Sequence, residues 1–158
     1  MKIIKYRLGQ LQNNTYLLIN DDSCILIDPS DQGAFLIEEV LRRRLKLKAI
    51  IATHGHFDHV MAAGEIQMST NIPLYISTKD QFLLDRLIET AKHFLGYDPV
   101  IIKPKKINNL EAGQADINGF IFEIIETPGH TSGSICLYFR KEGLVFSGDT
   151  LFKGSIGR

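Results

Sequence analysis

The sequence has only two cysteines, Cys24 and Cys136, each inside an apolar, strand-like run and neither with a second cysteine at metal-ligand spacing. A disulfide framework and a thiolate-rich structural zinc site are therefore not expected, and both residues read as buried free thiols in a reducing compartment. Net charge is also missing. Eighteen Lys and Arg offset eighteen Asp and Glu, so no overall field recruits nucleic acid or an anionic membrane. No apolar stretch is long enough to span a bilayer, and Met1-Lys2-Ile3-Ile4 opens a strand-like run rather than a signal peptide. There is no low-complexity segment, Pro/Ser linker or linear repeat. A chain of 158 residues with 44% hydrophobic content is then expected to form one domain, residues 1–158, with a core of its own. These absences point to a cytoplasmic chain with no nucleic-acid or membrane partner; nothing in the pattern speaks to oligomeric state.

What is present is a succession of short apolar runs divided by turn residues. Ile3–Leu8, Tyr16–Ile19 and Cys24–Ile27 read as strands. Ala34, Ile37, Val40, Leu41 and Leu45 then show helical spacing, with Ser30 or Asp31 as a cap and Arg42-Arg43-Arg44 complementing the helix C-terminus. Leu47–Ala52 has the continuous apolar character of a strand buried on both faces. A weaker helix is predicted from near Val60 to before Pro73, followed by a strand at Pro73–Ile76. Ser77-x-x-Asp80 reads as a capping box opening a stronger helix, with Leu84, Leu87, Ile88, Ala91 and Phe94 on one face and Gly96 as its stop. In the last third, Asn118-Gly119 is a hairpin signal before the strand Phe120–Glu126, and Ser134–Phe139 and Leu144–Ser147 form a further hairpin across Lys141-Glu142-Gly143. Strands and helices mix throughout, so the fold class is α/β, and a sandwich of sheets with helices packed outside satisfies the burial.

The chemistry sits after the strands. Ile50-Ile51-Ala52 runs into Thr53-His54-Gly55-His56-Phe57-Asp58-His59, which places three imidazoles and a carboxylate within six positions. Ile124-Ile125-Glu126 runs into Thr127-Pro128-Gly129-His130-Thr131, Leu144–Ser147 into Gly148-Asp149, and Ile25–Ile27 into Asp28-Pro29. Side-by-side strands would bring these ends to one rim, the usual way in which loops on a rigid scaffold build a site. Nitrogen and carboxylate oxygen without thiolate suit zinc, manganese or non-haem iron in a catalytic site. Bound metal lowers the pKa of water to about 7 and makes hydroxide available, and a surplus of ligands leaves room for a second ion about 3.5–4 Å from the first. Gly55, Gly129 and Gly148 are expected to permit close backbone approach at this rim. Plainer readings exist for single members. His130 alone reads as a hydrogen-bonded loop histidine, Asp149 as a helix cap and Asp28 as either a turn starter or a support beneath the site. His93 on the long helix reads as a surface residue.

The motif His-x-His-x-Asp-His, met in full at His54, His56, Asp58 and His59, together with His130, Asp149 and Asp28, resembles the metallo-β-lactamase-fold hydrolases. Thr-Pro-Gly-His-Thr-Ser-Gly-Ser and Phe-Ser-Gly-Asp-Thr-Leu-Phe-x-Gly-Ser-Ile-Gly-Arg look most like the glyoxalase II branch of that superfamily, which hydrolyses thioesters of hydroxyacyl-glutathione. The resemblance implies a four-layer αββα sandwich. It implies a first metal, zinc by expectation with iron or manganese as alternatives, on His54, His56 and His130. A second would sit on Asp58 and His59, with Asp149 shared and Asp58 as the catalytic group that orients water or takes its proton. That family draws one more histidine of the second metal from beyond the Gly-Arg pair, and its glutathione-specific members carry a C-terminal helical region. Neither follows Asp149 here, so the expectation is a C-terminally truncated form of this fold that lacks the last strand and helix, with an incomplete second site. Two other activities share much of the motif: a persulfide-dioxygenase-like oxidoreductase with a single iron on His54, His130 and Asp149, and a truncated metal-binding domain with little turnover.

Overall fold

A computed structural model describes residues 1–157. The chain begins with three strands, β1 (Lys2–Leu8), β2 (Asn13–Asn20) and β3 (Ser23–Ile27), joined antiparallel. Helix α1 (Gly33–Arg42) then crosses to β4 (Lys46–Ile51), which lies parallel to β3. Two short helices, α2 (Phe57–Val60) and α3 (Ala63–Thr70), lead to β5 (Leu74–Ile76). Helices α4 (Gln81–Asp85) and α5 (Leu87–Leu95) precede β6 (Ile107–Asn109), and these six strands form one sheet in sequence order. A second sheet, in the order β10-β9-β8-β7, is an antiparallel meander of β7 (Gly113–Ile117), β8 (Phe120–Glu126), β9 (Ile135–Phe139) and β10 (Leu144–Phe146). A small ribbon of β11 (Leu151–Phe152) and β12 (Ser155–Ile156) follows.

Side-chain alternation along β2, β3 and β4 explains the layering. Leu17, Leu26 and Ile50 point to one face and pack with Leu36 and Val40 of α1, Val60 of α2, Ile66 of α3 and Leu87 of α5. Their neighbours Leu18, Ile25, Ile27, Ala49 and Ile51 point to the other and pack on Phe122, Ile124, Leu137 and Phe139 of the second sheet. A strand covered on both faces needs apolar residues at every position, which is why β3 and β4 read as continuous runs. The result is the α/β sandwich of helix, sheet and sheet. Among the described residues no helix covers the outer face of the second sheet, where Ile121, Ile125 and Val145 are exposed.

The Asn118-Gly119 hairpin forms as expected, with both residues at positive φ and Ile117 opposite Phe120. Three expectations are corrected. Neither Ser30 nor Asp31 caps α1: the cap position is Gln32, at φ 55, while Ser30 bonds to Thr15, Oγ to Oγ1, at 2.9 Å. Helix α1 also ends before Leu45 and leaves Leu41 exposed, because Arg44 turns into the left-handed region at φ 56 and the Leu45 amide bonds back to the Val40 carbonyl at 3.0 Å. The single helix expected after Ser77 is divided at Arg86 into α4 and α5, with Ile88 and Phe94 left exposed. Strand β6, a sheet edge of three residues, carried no recognisable signal.

Candidate metal centre

Parallel pairing of β3 with β4 places Ile27 beside Ile51, so the residues after both strands emerge at one end of the sheet. The Asp28 amide there donates to the Ile51 carbonyl at 2.9 Å. Asp28 is buried and stands at φ 50, a left-handed conformation that Asp tolerates better than most residues. Its carboxylate accepts the Thr53 amide at 2.7 Å and the Thr53 hydroxyl at 2.9 Å. The alternatives for Asp28 are thereby decided: it supports the turn from beneath.

From Thr53 the chain passes through His54, Gly55 and His56 into α2, whose single turn carries Asp58 and His59. The second sheet approaches from the other side. The Ile135 amide at the start of β9 donates to the Thr53 carbonyl at 2.9 Å, bringing the preceding loop and His130 against the first turn. Asp149 arrives from the end of β10, where Gly148 at φ 48 lies so close to the Thr53 side chain that a Cβ would collide with it. At Gly129 the expectation of close approach fails, since its φ is not positive and nothing lies within 4 Å of where a Cβ would be.

Five of the six residues expected at the site fall into two adjoining groups, and Asp58 stands beside them. His54, His56 and His130 each offer a ring nitrogen within a 4.8 Å group, as do His54, His59 and Asp149. His56 Nδ1 and His130 Nε2 are 2.9 Å apart. Asp149 reaches both groups, with Oδ1 3.3 Å from His59 Nε2 and Oδ2 3.4 Å from His130 Nε2. Asp58 Oδ2 lies 3.9 Å from His59 Nε2. Asn13 at the start of β2 holds Asp58 by donating its side-chain amide to both the carboxylate and the backbone carbonyl. His93 lies apart on α5 and is exposed, as expected.

The electrostatics favour a cation. Burial, then the neighbouring His59 and His56, push His54 down to about 2, and burial followed by His130 lowers His56. Both rings are therefore held toward the neutral form, in which one ring nitrogen carries a lone pair. At His59 burial acts downward as the largest single influence, but Asp28, Asp149 and Asp58 together outweigh it and hold the imidazole up at about 10. Burial acts upward on Asp149, yet its contacts with His59, His54 and His130 leave it lowered. His54 Nε2 and both nitrogens of His59 are buried without a hydrogen-bond partner; the carboxylates around His59 lie within 3.1–3.9 Å but off its hydrogen-bonding directions. Orphaned buried nitrogens are costly in a folded protein unless something satisfies them; a metal ion would take a lone pair of His54, and at His59 it would first displace the proton that the carboxylates hold there. The donor set fits metal ions with nitrogen and oxygen ligands, held in two adjoining groups.

The spacing Ser77-x-x-Asp80 predicts a capping box. Instead Ser77 makes no capping bond, and Asp80 is fully buried beside the His54–His56 turn. Every ligand-bearing loop follows a strand, and Asp80 likewise follows β5; that position was the available signal.

The sequence profile of the metallo-beta-lactamase superfamily matches residues 8–158. The probable metallo-hydrolase YqgX of Bacillus subtilis is 35% identical over 159 residues, covering 100% of this chain and 75% of that protein. The hydroxyacylglutathione hydrolase GloC of Haemophilus influenzae is 36% identical over 149 residues, covering 93% of this chain and 70% of its own length. Among solved structures, BLEG-1 B3 metallo-beta-lactamase superposes with a TM-score of 0.89 at 34% identity, covering 99% of this chain and 76% of the other. TTHA1623 in a di-iron-bound form superposes at 0.88 and 34% identity, covering 98% and 76%.

Proposed function

The chain belongs to the metallo-beta-lactamase superfamily of metal-dependent hydrolases, and from that premise we propose that it hydrolyses a small thioester of the hydroxyacylglutathione type. The observation that carries the reading is the cluster of buried imidazole nitrogens without partners, at the end of strands whose loops also supply two carboxylates. The similarity to GloC over 93% of the chain supports the choice of thioester.

In this reading His54, His56 and His130 would hold one metal ion and Asp58 and His59 a second, with Asp149 within reach of the histidines of both. When bound, the ions supply Lewis acidity for the substrate carbonyl and a water with a pKa near 7. The rest is work for the protein. Asp28 and Thr53 fix the turn that presents His54, and Asn13 holds the Asp58 carboxylate in place. Asp58 orients the attacking water and takes its proton, and that proton goes on to the departing thiolate. Because His54 and His56 are held neutral, neither must lose a proton before it can act as a ligand.

The test is thiol release from a hydroxyacylglutathione thioester by purified protein loaded with zinc, manganese or iron. Release that disappears with a chelator and returns with metal is expected. No release with any of the three metals overturns the thioester reading.

A further inference from the structure

Asp80 is a fully buried carboxylate with no lysine, arginine or histidine paired to it among the described residues. Burying a charge is costly, and an apolar residue of similar volume fills such a place more cheaply. What the carboxylate does instead is accept three hydrogen bonds from two separate loops. Oδ2 accepts the Gly55 amide at 2.9 Å and the Thr131 hydroxyl at 2.7 Å, while Oδ1 accepts the Gly133 amide at 2.7 Å. Gly55 stands between His54 and His56, and Thr131 follows His130. The two loops also close tightly on this group. A Cβ on Gly133 would come within 2.6 Å of Asp80 Cγ, and one on Gly55 within 2.9 Å of Asp80 Cβ. No other side chain at these glycines fits the same spacing.

We infer that Asp80 is a positioning residue that sets the distance between the His54–His56 turn and the His130 turn, so that three imidazoles from two sheets are already spaced for one ion. Among the described residues it makes no hydrogen bond to the imidazoles; it acts through the backbone and the Thr131 hydroxyl of the loops that carry them. Hydrogen bonds from amides to a carboxylate are roughly twice as strong as neutral ones and resist the spreading of the loops. The inference rests on the metal reading proposed above.

Asp80→Asn keeps the shape but retains a single acceptor oxygen. Its amide nitrogen must face either the Gly133 amide or the Gly55 amide, and one loop is released. The zinc dissociation constant is expected to rise by roughly 10–100-fold, as for other groups that orient metal ligands, with kcat falling and KM for the thioester unchanged. Amide hydrogen exchange at Gly55 or Gly133 should accelerate even in chelator-treated protein. Gln67→Ala is the comparison, because it removes a buried hydrogen-bonding staple between α3 and residues 105–106, away from the site. It should lower stability and leave zinc affinity alone. If Asp80→Asn does not fold, Thr131→Val removes one of the three bonds to Asp80, along with the Thr131–Ser134 hydroxyl contact at 2.8 Å, and should give a smaller loss of zinc affinity in the same direction. Wild-type zinc affinity and kcat in the variant that folds overturn the positioning role. Wild-type protein that holds no zinc overturns the metal reading itself, so the two failures are distinguishable.

Discussion

His56 Nδ1 and His130 Nε2 face each other at 2.9 Å although 74 residues separate them in the chain. Without a metal this contact is a hydrogen bond only if one ring donates a proton to the other; an ion at this place instead requires both lone pairs. His56 is half-buried and outside the hydrophobic cores, so its removal should leave the fold intact within roughly 1 kcal/mol. His56→Ala is expected to lose activity by more than the roughly 10–100-fold typical of residues that merely orient ligands. Thioester cleavage at the wild-type rate in this variant would remove His56 from the mechanism.

The stability of the metal-free chain should peak near pH 6.5. His54 is lowered from 6.5 to about 2, so its contribution is complete above 6.5 and is lost as pH falls toward 2. His59 is raised from 6.5 to about 10, so its contribution is complete below 6.5 and is lost as pH rises toward 10. Denaturant titrations of chelator-treated protein across this range measure the profile directly. A monotonic curve between pH 4 and 9 contradicts the opposed pair.

Asp28→Ala strips the Thr53 amide and hydroxyl of their acceptor and takes a carboxylate from beside His59. Removing one member of such a buried set is expected to cost about 3–5 kcal/mol. Asp28→Asn, which keeps one acceptor and tolerates the left-handed backbone, should cost less. Equal unfolding midpoints for the two variants are the outcome that refutes this.

Between the sheets, Phe122 is buried and lies tilted against Phe139, with ring centroids 5.0 Å apart. Phe122→Ala should destabilise the chain by about 3–5 kcal/mol through lost contact and a cavity, without altering metal affinity. Thermal unfolding and zinc titration of the same preparation separate the two effects.

A di-iron relative at 34% identity raises the question of which metal this chain uses. Zinc- and iron-loaded protein are both expected to release thiol under anaerobic conditions, since neither Lewis acidity nor an acidified water depends on redox chemistry. Oxygen consumption on a persulfide, with one iron per chain and no thioester cleavage, would instead support the dioxygenase alternative.

Much of the site was legible in the sequence because metal ligands of this kind are short-range features. His54, His56, Asp58 and His59 share one short stretch after one strand, and His130 and Asp149 each follow an apolar run that reads as a strand. Strand alternation and the Asn118-Gly119 turn were legible for the same reason: period and turn chemistry depend on neighbours in the chain. The helix boundaries fared worse. The left-handed turn at Arg44 and the break at Arg86 are local backbone features that end a helix although the apolar repeat runs on through them.

By itself, then, the sequence determined the class of fold, the donor atoms and their family. Tertiary structure alone decided that Asp28 supports rather than merely turns the chain, and that Asp80 is a buried tie rather than a helix cap. The physical reason is that both carboxylates are defined by partners on other elements. Thr53 reaches Asp28 through the parallel pairing of β3 and β4, and Thr131 and Gly133 reach Asp80 only once the second sheet has packed against the first.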